Sequence, residues 1–72
     1  MYIEKDRQAL KDLQQGQRCY INWAEDSGGL VYRIEDVFIL FEISGYGVCQ
    51  HYHATYPESQ LEELLAVAHS WT

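Results

Sequence analysis

The residues with the clearest chemical potential are Cys49, His51 and His53, which alternate along one short segment. Alternate residues of a β-strand point to the same face, so a strand here would present all three side chains together. Two imidazoles at that spacing can share a zinc ion. Cys49 would lie about 13 Å from His53, so a third ligand would have to come from a neighbouring strand, as Glu42 or Cys19. His51 and His53 therefore give one hypothesis, a metal- or small-ligand-binding domain.

Catalytic chemistry has no comparable support in the sequence. A cysteine nucleophile needs a histidine and an orienting acid, and neither Cys19 nor Cys49 lies in a local signature for such a site. Glu35 and Asp36 are adjacent, and adjacent strand residues point to opposite faces, so they indicate a turn and not a carboxylate pair. The glycine-containing segments lack the spacing of phosphate-binding loops. We therefore expect a protein that is not an enzyme and uses no cofactor.

The distribution of charge excludes whole classes of partner. The chain of 72 residues carries a formal net charge of −6, and no Lys or Arg follows Arg33. Nucleic acids and anionic membranes are both bound through Lys and Arg, so neither partner is expected. A basic protein surface would be attracted instead. Because acidic residues continue after Arg33, a nucleic-acid-mimicking inhibitor or regulatory protein is a further alternative.

Length and composition predict a single domain over residues 1–72. Hydrophobic residues make up 47% of the chain and aromatic residues 14%, which is too much for a disordered protein. The longest apolar run, Val37 to Phe41, is far shorter than the roughly 18 residues that a membrane span needs. Two cysteines are few for a secreted domain held by disulfides, so we expect reduced thiols and a cytoplasmic location.

Two helices are predicted, one towards each end of the chain. The first is expected from Asp6 to Gln15, with Asp6 as its N-cap. The second begins near Pro57, where Ser59 and Glu62 have the spacing of a capping box. Helical spacing of apolar residues predicts its buried stripe, which consists of Leu61, Leu64, Leu65 and Ala68.

Between the helices, alternating apolar residues predict an antiparallel meander of three to four strands. Cys19, Ile21 and Trp23 are expected on one face of the first strand. Turn signals divide the rest of the segment at residues 26–29, 35–36 and 44–47. The last strand is expected from Val48 to Ala54. The predicted fold class is therefore α+β, a single small domain with both helices packed on one face of the sheet.

The order of helix, antiparallel strands and helix resembles that of double-stranded RNA-binding domains, which are similar in length. That family uses a basic cluster at the start of its last helix to contact phosphates. Here the corresponding positions are Glu58, Glu62 and Glu63. The resemblance therefore implies an order of elements and not RNA binding.

The sheet face that the helices leave uncovered gives the main functional hypothesis. We assign alternate residues of the segment 37–43, beginning with Val37, to the helix-covered face, which places the intervening residues outside. An apolar patch with a polar rim is typical of a protein interface. The predicted interaction residues are Tyr20, Val31, Arg33, Phe38, Leu40, Glu42, His51 and His53. We expect a module that binds a partner protein, a second copy included, through these residues. The alternatives are that a loop or the N-terminal helix crosses that face, or that 37–43 is a central strand buried on both sides.

Overall fold

The computed structural model describes residues 2–24, 27–45 and 49–71. Over these residues two helices flank four strands. The elements are α1 (Tyr2–Asp12), β1 (Arg18–Ala24), β2 (Ser27–Ile34), β3 (Val37–Ser44), β4 (Cys49–Pro57), a 3-10 turn (Glu58–Gln60) and α2 (Leu61–His69). The strands form one sheet in the order β1-β2-β3-β4, and each pairs with its neighbour in antiparallel fashion. The predicted α+β meander with a helix at each end is confirmed.

Both helices pack on the same face of the sheet. Their inward side chains are buried together with strand residues in one hydrophobic core, which contains Leu10, Leu13, Ile21, Val31, Phe38, Leu40, Leu64, Leu65 and Ala68. Complete burial of one large apolar side chain contributes about 1.5–3 kcal/mol to stability. This core is therefore the main source of stability, and it fixes which face of the sheet is covered.

The faces of β3 are the reverse of the predicted assignment. Phe38 and Leu40 are 1% and 0% exposed within the core, so Val37, Ile39 and Phe41 lie on the opposite face. All five residues are apolar, and periodicity therefore offers no contrast between the two faces. A choice that is wrong by one residue moves the whole set to the other side of the sheet.

The helix boundaries also differ from the predicted ones. Because α1 begins at Tyr2, Asp6 lies within the helix and is not its N-cap. No side-chain capping hydrogen bond is formed at the 3-10 turn or at the start of α2, so the capping box expected from Ser59 and Glu62 is absent there. Glu62 instead accepts two hydrogen bonds from the Arg7 guanidinium, at 2.6 and 2.7 Å, which link the two helices. Neither described helix has the length and apolarity that crossing a membrane requires.

The predicted turns have different outcomes. The turn at residues 35–36 is confirmed as the connection between β2 and β3, with Glu35 in a left-handed conformation at φ 53°. Gly28 and Gly29, which we expected in a turn, lie inside β2. Four predicted residues lie outside the described part of the chain: Asp26, Tyr46 and Gly47 of the predicted turns, and Val48 at the predicted start of the last strand.

A β-bulge in β1 turns a polar side chain towards the helices. The pairing register shifts between Ile21 and Ala24, so Asn22 and Trp23 share one place opposite β2. Gly28 permits the close approach of the two strands there, because a Cβ atom on it would lie 2.7 Å from the Asn22 carbonyl oxygen. Asn22 itself adopts φ 48°. The bulge therefore depends on a glycine in the neighbouring strand.

Asn22 connects β1 to both helices through a buried polar network. The Asp6 carboxylate on α1 accepts a hydrogen bond of 2.7 Å from the Asn22 backbone N–H, and it lies 2.7 Å from His69 Nε2 on α2. Asn22 Nδ2 donates to the carbonyl oxygens of Ala68 and Trp71, at 2.9 and 3.1 Å. Asp6 is only 8% exposed, so loss of these partners would leave a desolvated acceptor unsatisfied. The network therefore holds both helices at the same edge of the sheet.

Paired substitutions on β3 test the assignment of faces. Leu40→Ala is expected to lower the free energy of unfolding by about 2–5 kcal/mol, because it opens a cavity in the core. Ile39→Ala, one residue away, is expected to cost no more than about 1 kcal/mol, because the Ile39 side chain lies on the other face and is partly exposed. Equilibrium urea denaturation measures the free energy of unfolding of both variants. A larger loss for Ile39→Ala would contradict the assignment.

Candidate functional site

The sheet face that points away from the helices is called the open face. Strand alternation and the pairing register assign it residues from all four strands. These residues are Arg18, Tyr20, Trp23, Leu30, Tyr32, Ile34, Val37, Ile39, Phe41, Ile43, Gln50, Tyr52 and Thr55. Most of them are aromatic or aliphatic, and none is acidic.

The aromatic side chains of the open face form two groups in contact. Tyr20 and Trp23 lie side by side on β1, with ring centroids 4.7 Å apart. Tyr32, Phe41 and Tyr52 form a row across β2, β3 and β4, with centroid separations of 5.6 and 5.9 Å. Both pairs in the row meet edge to face, which is a favourable arrangement of aromatic rings. The rings therefore hold one another in place before any partner is bound.

Large apolar side chains remain exposed on this face, although some of its residues are buried by their neighbours. Leu30 and Ile43 are 0% and 2% exposed, yet neither belongs to the core beneath the helices, so neighbours on the open face cover them. The most exposed residues are Tyr52 (61%), Tyr20 (49%), Ile34 (43%) and Trp23 (41%). Single exposed apolar residues are ordinary, whereas a contiguous group on one face indicates a binding surface.

Charge is nearly absent from the open face. Within the described part of the chain its one charged residue is Arg18, whose guanidinium donates to the Tyr32 hydroxyl at 3.4 Å. The Tyr52 hydroxyl and the Thr55 hydroxyl are hydrogen-bonded to each other at 2.9 Å. The hydroxyl groups of Tyr32, Tyr52 and Thr55 on this surface are therefore already hydrogen-bonded within the chain. Such a surface suits a partner that is selected by shape and apolar contact.

Tyr20 is the one predicted interaction residue that lies on the open face. Val31, Phe38 and Leu40 belong to the core, so their placement on a binding surface is wrong. Arg33 is on the same side: its guanidinium lies 5.1 Å from the Phe38 ring centroid and is paired with a glutamate of the 3-10 turn. The predicted residues other than Tyr20 do share one face, which is the helix side. The helices cover Val31, Phe38 and Leu40 there, whereas Glu42, His51 and His53 remain exposed.

Glu42, His51 and His53 also belong to the helix side. Glu42 is opposite His51 in the register, and the His53 ring lies 5.1 Å from that of Trp71, which follows α2. Among the described residues there is no group of three side chains that could hold a metal ion. A cavity of about 260 Å³ beside Glu42 has neither histidine in its lining.

The two cysteines differ in their environment. Burial, together with the negative charge of Asp6, raises the pKa of the Cys19 thiol from its ordinary value of 9.0 to about 11. Cys49 is exposed on β4, and both cysteines are free. Because the thiolate is the nucleophilic form, Cys19 is poorly suited to nucleophilic catalysis at neutral pH.

Sequence reasoning missed most of the open face, and the reasons differ between residues. Phe41 is directly opposite Tyr52 in the pairing register and diagonal to Tyr32, and this pattern of cross-strand aromatic neighbours was an available signal. Trp23 reaches the face only because of the bulge, which reverses the alternation of β1. The available signals were Asn22, a residue type that tolerates the left-handed conformation, and Gly28, which we expected in a turn.

No family model matches the chain, and no curated protein and no solved structure is significantly similar to it. The likeness to double-stranded RNA-binding domains is therefore one of element order. Where that family carries its basic cluster, Glu58 and Glu62 form ion pairs with Arg33 and Arg7. The function is consequently argued from the geometry of the open face.

Thiol labelling tests the environment of Cys19. At mildly alkaline pH a thiol reagent is expected to modify Cys49 quickly and Cys19 slowly, because the raised pKa keeps Cys19 protonated in the folded state. Cys19 reactivity is expected to rise as the pH approaches 11, and also when denaturant unfolds the chain. Mass spectrometry of the labelled peptides measures both rates, with Cys49→Ser as the control. Equal rates for the two thiols in the folded protein would contradict the described burial.

Proposed function

We propose that the protein is a non-enzymatic interaction module that binds an apolar, uncharged protein surface with the open face of its sheet. The observation that carries this proposal is that four large side chains, Tyr20, Trp23, Ile34 and Tyr52, are 41–61% exposed on one sheet face with almost no charge. Transfer of such a face from water into an interface lowers the free energy, and the partner surface that covers it must itself be apolar.

The composition of the face is that of a binding surface with strong anchor residues. Tyrosine and tryptophan are enriched among the residues that contribute most to interface affinity. They bury a large area while losing few rotatable bonds. The contacts between Phe41 and its neighbours Tyr32 and Tyr52 already restrict these rings. Less side-chain entropy is therefore lost when a partner binds.

The placement of charge argues against the other classes of partner at this face. The acidic residues that the structure describes lie on α1, the 3-10 turn, α2, the helix side of β3 and the turn between β2 and β3. A basic protein would therefore be drawn to the helices and not to the open face. Aromatic platforms that bind single-stranded nucleic acid combine stacking with a positive groove, and Arg18 alone does not provide one.

A cytoplasmic location belongs to the same proposal. Cys19 and Cys49 are free thiols, and thiols persist in the reducing environment of the cytosol. The exposed thiol of Cys49 would be at risk of oxidation in a secretory compartment.

Site-specific photo-crosslinking in the cells that make the protein tests this function. A benzoylphenylalanine in place of Tyr52 lies on the open face, and the same residue in place of Ala66 lies on the exposed side of α2. Irradiation is expected to give a covalent protein adduct from position 52 and none from position 66. The adduct is also expected to disappear when Ile34→Lys places a charge on the open face.

Two crosslinking results would contradict the proposal. A chain that remains folded by circular dichroism but gives no adduct from position 52 does not use the open face. Adducts of equal yield from positions 52 and 66 would show contact without a preferred surface, which also contradicts the proposal.

A further inference from the structure

We infer that the partner of the open face is a second copy of the same chain, with the two sheets stacked face to face about a two-fold axis. This inference rests on the proposed function and names its partner. It is carried by the distribution of charge, the size of the face and the chemistry of its side chains.

Charge is arranged so that two copies can approach through the open faces in spite of a formal net charge of −6 on each. The described acids of α1 and α2, such as Glu4 and Glu63, lie on the far side of the sheet from the open face. Stacked sheets are about 10 Å apart, and the helices add a further layer on each side, so these acids stay more than about 20 Å from their counterparts. The screening length is about 8 Å at physiological ionic strength, so their repulsion is weak.

The same arrangement disfavours a charged partner. A partner chosen by charge needs opposite charge at the contact, and the open face offers only Arg18 within the described residues. A second copy needs no such complement. In a two-fold contact the same patch occurs on both subunits. A patch with almost no charge can therefore meet its own copy without placing like charges opposite each other.

The size of the face matches a reversible dimer. Four strands spaced about 4.8 Å apart, with about eight residues each at about 3.3 Å, cover about 500 Å² in projection. Two copies would therefore bury about 1,000 Å² or somewhat more, which is the lower limit for a specific interface. We expect a dissociation constant of about 1–100 µM, in the range of weak but specific contacts of this size.

The side chains of the face are suited to contact with themselves. The row of Tyr32, Phe41 and Tyr52 would meet a second such row across the axis, where edge-to-face pairs between tyrosine and phenylalanine rings are favourable. Sheets that stack with their strands aligned or crossed fill the space between them with side chains from both faces. The stacked pair would thus complete a second hydrophobic core, with Leu30 and Ile43 at its base.

Sedimentation equilibrium of the purified chain, from low to high micromolar concentration, tests the inference. The wild-type protein is expected to pass from monomer to dimer over this range. Tyr52→Lys and Tyr52→Glu are each expected to raise the dissociation constant at least about tenfold, because either charge would be desolvated at the interface. Ala66→Lys and Ala66→Glu, which place the same charges on α2, are expected to leave the dissociation constant unchanged.

A second open-face variant and a salt series complete the test. Ile34→Lys repeats the test at another exposed position, and circular dichroism of every variant shows whether the monomer remains folded. Raising the salt concentration is expected to preserve or strengthen the dimer, because salt screens the repulsion between two acidic chains and favours apolar contact. Weaker association at high salt would overturn the inference, since it would indicate attraction between opposite charges.

The remaining outcomes separate this inference from the proposed function. A wild-type chain that stays monomeric at all concentrations overturns the second copy as partner. If the adduct from position 52 then has the mass of a different protein, the open face remains an interaction surface. If there is no adduct either, both proposals fail. A dimer that responds to the Ala66 variants and not to the Tyr52 variants would place the contact on the helix side, which also overturns the inference.

Discussion

The Asp6 carboxylate is the polar contact that joins three elements of the layered arrangement. It binds the backbone N–H of Asn22 and the imidazole of His69, and so joins α1, β1 and α2 at one point. The network requires the bulge of β1, and the bulge requires a residue without a side chain at Gly28. The network and the hydrophobic core together hold both helices on one side of the sheet. The open face exists because neither helix covers the other side.

A chain of this size cannot enclose all of its apolar residues. A domain of about 60 residues buries only about 60% of the surface that its unfolded chain exposes. The helices and the inner side of the sheet use the leucines of α1 and α2 together with Phe38 and Leu40. Tyr20, Trp23, Ile34 and Tyr52 stay 41–61% exposed on the open face. A second copy of the chain would bury these exposed residues without any further sequence element.

The order of elements could be predicted from the sequence, but the choice of face could not. The turn at Glu35 and Asp36 was visible because two runs of apolar residues meet at adjacent acids. The faces of β3 were not visible, because residues 37–41 are all apolar and either side satisfies the pattern. Asp6 was read as a cap from its type, whereas its actual partners, Asn22 and His69, are distant in sequence. Long-range contacts of this kind leave no local signal, and the position of the open face depends on them.

A concentration series of NMR spectra tests most directly whether the open face is the surface of association. The ring signals of Tyr32, Phe41 and Tyr52 are expected to shift progressively as the chain is concentrated, while the signals of α2 stay constant. Shifts confined to α1 and α2 would contradict association through the open face, as would spectra that do not change at all with concentration.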